Sequence, residues 1–144
     1  MKRKMVTAII VTIITIIALV VFIGLYIDET KRVQETYRSR YTTELGHVSE
    51  EISFYLKAEG DHEFIYRRII GYMSAANSFA FLIDDFSERQ KTINELYSAL
   101  IKYPEQMSGK LEDAKTALDH ICEGLDKGYD ELDELIGTLD LKGN

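Results

Sequence analysis

The chemistry available to this chain rests on three histidines and one cysteine, each with a carboxylate within a helical turn. Glu44-x-x-His47 and Glu59-x-x-His62 both have the spacing that puts two metal ligands on one helical face in di-iron bundles. Such a centre needs the two motifs on different, facing helices, plus two further inward glutamates. Here the histidines lie ~22 Å apart along a straight helix, and the second motif runs through a predicted turn at Gly60. His47 also falls beside the Leu45, Val48, Ile52 stripe instead of at its centre. Both histidines therefore read as surface residues. Asp119-His120-x-Cys122-Glu123 offers three ligand chemistries in five positions, but consecutive helical side chains point in different directions and do not converge. No metal site is expected.

Nucleophilic chemistry fares no better. Cys122 borders an apolar stripe, where burial raises a thiol's pKa and leaves it inert. As the only cysteine it makes no internal disulfide, leaving a buried small hydrophobe or a thiol for an intermolecular bond, and burial is the expected fate. The sequence has no glycine-rich phosphate loop, no Gly-x-Ser-x-Gly elbow and no His-Glu-x-x-His pair. The expectation is a protein that is not an enzyme, with no catalytic, cofactor-binding or metal-ligating residues and no cofactor.

What positions these residues begins at the membrane. Residues 5–27 form an uninterrupted apolar run behind Lys2, Arg3 and Lys4. At the helical rise it spans ~34 Å, enough to cross a hydrocarbon core with some tilt. Its few polar side chains include Thr7, Thr12 and Thr15, whose hydroxyls can bond back to a carbonyl one turn earlier. A cleaved signal peptide is shorter and ends at a small-x-small site, which Phe22 to Ile27 lacks. The segment thus reads as an uncleaved signal anchor, with Tyr26 as an interfacial ring. The basic front is denser than Lys31 and Arg32 behind it, which places the N-terminus inside and the C-terminal domain outside the plasma membrane. The organisation that follows is a short cytoplasmic stub over 1–4, a transmembrane anchor over 5–27 and a helical domain over 28–144.

All 24 acidic residues and all but three of the 17 basic ones follow the anchor, leaving that part near −10. Nucleic acid, whose phosphates need a basic patch, is excluded as a partner. So is a polybasic grip on anionic lipid.

The fold class read from the pattern is all-α, the anchor continuing into an antiparallel bundle of three long helices. Val33, Tyr37, Tyr41, Leu45, Val48, Ile52 and Tyr55 alternate threes and fours as a core-facing helix does. Gly60 is expected in the left-handed position that ends it, and Asp61 as the cap of the next helix. From Ile65 to Leu100 the rhythm persists, which favours one helix over 62–103. Ser87-x-x-Gln90 has the form of a capping box, and a break there would make four helices. The third segment repeats Leu111, Leu118, Leu125, Leu132 and Leu139 at sevens. Ala114, Ile121, Gly128, Leu135, Cys122, Tyr129 and Ile136 widen it to a bundle face. Gly46 and Gly71 should face one another across the first hairpin, and Gly124-x-x-x-Gly128 makes a flat strip beside the ladder.

Two functions fit. The first is a membrane-anchored, non-catalytic interaction or scaffold module on the extracytoplasmic face, with a protein partner or a second copy. The second is a ligand-sensing domain with a pocket lined by Phe64, Ile70, Met73, Phe81 and Leu82, signalling through a partner's membrane helix. The four residues ahead of the anchor leave no room for an output domain, which favours the first.

Overall fold

In the computed structural model, which describes residues 2–140, every element is an α-helix. They are α1 (Lys2–Lys57), α2 (His62–Ala80), α3 (Ser87–Lys102), α4 (Pro104–Ser108), α5 (Leu111–Cys122) and α6 (Lys127–Gly137). Two compact units divide between Glu35 and Thr36, within α1. Met1, the backbone of 141–144 and the side chain of Lys2 lie outside the described residues, so the ends of the stub and of the C-terminal domain do too.

The first unit is the N-terminal part of α1. Its most apolar window has a mean hydropathy of 3.1 and none of it is buried by the rest of the chain. Every large apolar side chain from Met5 to Ile27 is 47–69% exposed. The segment is long and apolar enough to cross a membrane. Thr7, Thr12 and Thr15 donate to the carbonyls of Arg3, Ala8 and Val11, as hydroxyls in an apolar helix must.

The second unit runs from Thr36. α1 descends through it and α2 returns antiparallel: His47 meets Tyr72, Glu51 meets Arg68, and Tyr55 meets Tyr66. α3 descends against α2, with Asn77 donating to Asn94 and the Tyr66 hydroxyl to the Leu100 carbonyl. α5 rises against α1, as Ser49 donates to Asp119 and the Cys122 thiol points at the Thr42 carbonyl. α6 descends beside α5, held by His120 and Glu131 at 2.6 Å. The core is the common interior of α1, α2, α3, α5 and α6, filled by Leu45, Ile52, Ile69, Met73, Ile93, Leu96, Leu118 and Leu132.

Three expectations are corrected here. The single helix over 62–103 is broken: Phe81–Phe86 forms a turn in which Asp85 is left-handed at φ 55°. The break falls where the capping box stands, yet no side chain caps α3, and Gln90 uses its backbone N–H on the Phe86 carbonyl at 2.8 Å. The leucine ladder is not one helix either. Gly124, at φ +79°, reverses the chain between α5 and α6, and Leu125 is turned out at 41% exposure while Leu118 is fully buried. The heptad rhythm survived in the sequence because α5 and α6 each bury one face of the same core. At the α1–α2 turn it is Asp61, not Gly60, that is left-handed, and it offers its carbonyl, not its carboxylate, to Ile65.

The glycines sort differently from the sequence expectation. A Cβ on Gly46 or Gly71 would meet nothing within 4 Å, so neither marks close helix approach inside the chain. Gly128 does: a Cβ there would lie 2.5 Å from the Ala117 carbonyl oxygen and 3.0 Å from the Ile121 nitrogen. The α5–α6 hairpin is tight because this residue has no side chain.

Candidate functional site

A groove of about 460 Å³ lies between α3 and α6. These two helices run in the same direction and enter it from one end of the bundle. α3 contributes Glu88, Arg89, Lys91, Thr92 and Glu95, and α6 contributes Tyr129, Asp130 and Asp133. Thr92 forms part of the wall and is buried, its hydroxyl turned back to the Glu88 carbonyl.

Arg89 organises the mouth. Its guanidinium bonds Asp126 at 2.6 Å and lies over two rings, Phe86 at 5.7 Å and Tyr129 at 5.4 Å. A planar cation over aromatic faces while bound to a carboxylate is a favourable use of both its edge and its plane. Below it, Phe86 packs edge-on to Tyr41 at 5.2 Å and to Tyr129 at 6.1 Å. The Tyr41 and Tyr129 hydroxyls share a 3.0 Å hydrogen bond. Burial pushes the Tyr41 phenol far above its ordinary value, and that of Tyr129 upward as well, so both stay neutral. The groove is thus lined by five carboxylates against two cations, with a neutral phenol between them and two exposed ion pairs, Arg89–Asp126 and Lys91–Glu95.

The residues singled out from sequence are dispersed. His47 stacks on Tyr72 and lies 3.9 Å from Glu50; His62 packs edge-on to Tyr55 at 4.8 Å. Glu59 sits in the turn after α1 and Glu44 beside Gly71 on the outer face of α1 and α2. Asp119 turns to Ser49 and Lys115, His120 to Glu131, and Cys122 to Thr42, three separate directions from one stretch of α5. Among the described residues no three His, Cys, Asp or Glu side chains converge as metal ligands. Cys122 is half-buried, and desolvation, reinforced by Asp119 and Glu123, raises its thiol pKa. For Asp119, burial opposes ionisation, but hydrogen bonds from Lys115 and Ser49 outweigh it and hold the carboxyl below the usual range.

The pocket expected from the surplus apolar residues of the second helix does not form as a unit. Met73 is core, Ile70 is half-buried, and Phe64, Phe81 and Leu82 are exposed at different places. Ile70 instead lines a shallow hollow of about 370 Å³ with Tyr66, Leu100 and Pro104 at the far end of α2 and α3. Sequence reasoning missed Arg89 and placed Tyr129 only on the bundle face. The available signal was an arginine three residues after Phe86, at the foot of a possible helix break. No family model, curated protein or solved structure matches the chain.

Proposed function

We propose that the chain is a membrane-anchored, non-catalytic interaction module that holds an acidic helical bundle on the extracytoplasmic face. One observation carries the reading: a 23-residue apolar run that no other part of the chain covers. Left in water it would expose a stripe far larger than soluble proteins tolerate, and a bilayer is the solvent that removes the penalty. The length of the run, the absence of a small-x-small end and the internally bonded threonines favour a retained anchor over a cleaved leader.

The test is extraction and labelling in cells. The intact chain should stay in the membrane fraction through alkaline carbonate at its full mass. On intact cells a membrane-impermeant maleimide should reach Cys122 from the outside, with denatured protein as the control for burial. Release by carbonate or a shortened N-terminus rules out the anchor; labelling only after lysis reverses the orientation.

A second reading has one observation in its favour, the α3–α6 groove. Its five carboxylates outnumber Arg89 and Lys91, and with the Tyr129 ring they suit a cationic ligand. A small-molecule thermal-shift screen of the detergent-solubilised chain separates the two, because a sensor is stabilised by one compound class and a scaffold by none.

A further inference from the structure

The outer surface of α1 and α2, opposite the core, has a composition that the folded chain does not explain. On α2, Phe64, Arg68, Gly71, Ala75 and Ser78 recur at alternating fours and threes, a second stripe turned away from the buried one. Beside it on α1 stand Thr43, Glu50 and Phe54. Phe54 and Phe64 are 53% and 63% exposed. Gly71 is also exposed, with open space where a side chain would stand, in a shallow groove shared with Glu44, Arg68 and Ala75. A solvent-facing glycine in a helix interior weakens the helix and serves no packing inside this chain.

We propose that this face is where two copies of the chain pair side by side in the same membrane. The inference rests on the membrane-anchored reading, because copies anchored in one bilayer hold their bundles on the same side of it. A two-fold axis parallel to the helices then keeps every residue at its own height. The heights are fixed by contacts within the chain: His47 with Tyr72, Glu51 with Arg68, Tyr55 with Tyr66. Such an axis brings α1 of one copy against α2 of the other. Glu50 then faces the second copy's Arg68, Phe54 its Phe64, and His47 the bare backbone at its Gly71.

The charges are complementary at that register. Among the described residues Glu50 pairs only with the His47 ring, at 3.9 Å, and is well exposed. Arg68 holds Glu51 through Nη2 and keeps nearly half its side chain in solvent, lying 6.0 Å over Phe64. Two symmetry-related Glu50–Arg68 pairs flanked by two Phe54–Phe64 pairs give an apolar patch with a charged register. Confinement to one bilayer raises the effective concentration of the two copies and favours their pairing.

Single-molecule photobleaching of the full chain, tagged with a fluorophore and reconstituted in liposomes at high lipid excess, tests the pairing. The unaltered chain should bleach mostly in two steps. Phe54→Asp and Gly71→Gln should each cut the two-step fraction at least five-fold while helicity is kept. If Phe54→Asp loses helicity, Glu50→Arg on the same face decides, since it sets two arginines against each other without touching the core. A one-step majority for the unaltered chain, or two-step bleaching that survives these variants, overturns the proposal. Carbonate extraction of the same liposomes keeps the two hypotheses apart. A chain that is released refutes the anchor, whereas a chain that is retained but monomeric refutes only the pairing.

Discussion

Tyr41 of α1 and Tyr129 of α6, 88 positions apart, join hydroxyl to hydroxyl at 3.0 Å beneath the Arg89 guanidinium. Tyr41 is almost wholly buried, and its ring closes the end of the core where two turns meet. Tyr41→Phe removes only the bond and should cost about 1 kcal/mol. Tyr41→Ala also removes the ring and should cost about 3–5 kcal/mol. Chemical denaturation of the detergent-solubilised chain, followed by circular dichroism, measures both, and equal costs would mean that the ring contributes nothing.

The leucine ladder yields a paired prediction. Leu118→Ala empties a fully buried site and should cost about 2–5 kcal/mol. Leu125→Ala, in the α5–α6 turn at 41% exposure, should cost less than about 1 kcal/mol. The two melting curves should separate by several degrees, and coincident curves would mean that the ladder is one helix after all.

Two glycines four residues apart should fail for different reasons. Gly124→Ala puts a side chain into a left-handed conformation, a penalty of about 1–2 kcal/mol. Gly128→Ala drives a methyl into the α5 backbone and should cost more, since the carbonyl of Ala117 cannot move without unpicking the helix. Gly124→Asn, which tolerates left-handed backbone, should recover part of the first loss and the same change at 128 none.

The acid limb of stability should carry the mark of Asp119. Its pKa is depressed in the folded state by Lys115 and Ser49, so its contribution is full above the ordinary carboxylate value of about 3.9. That contribution fades as pH falls through the lower folded value. Asp119→Asn should therefore lower stability at pH 7 and flatten its pH dependence below about 4. An unchanged acid slope would show that the pair with Lys115 is only a surface contact.

Helix existence and the core faces were legible in the sequence because amphipathic periodicity reports burial directly. Tyr41, Leu45, Val48 and Ile52 were read as core and are core. The breaks between α2 and α3 and between α5 and α6 were not legible from periodicity, since a turn that returns the next helix to the same core preserves the rhythm across it. Ser87 sits at the first break, but the turn ahead of it is built on a left-handed Asp85 that composition does not announce. Gly124 and Gly128 were noticed as a pair of small residues, and only the fold separates them into a turn residue and a contact residue. The Arg89 site was illegible for a further reason. It is assembled from Phe86, Asp126 and Tyr129, residues on three segments whose meeting depends on the two breaks.

The contacts of Thr42 and Ser49 with α5, and of Tyr41 with α6, have a consequence for how the protein is made. α1 is synthesised before every helix that covers its core face, and two of those helices, α5 and α6, follow α2 and α3. Until α5 and α6 arrive, Tyr41, Leu45, Val48 and Ile52 form an open apolar strip on a nascent chain. Pairings across so many positions close slowly. During that delay the strip is a natural client for a chaperone, and a chain stalled before Leu111 would aggregate instead of waiting folded.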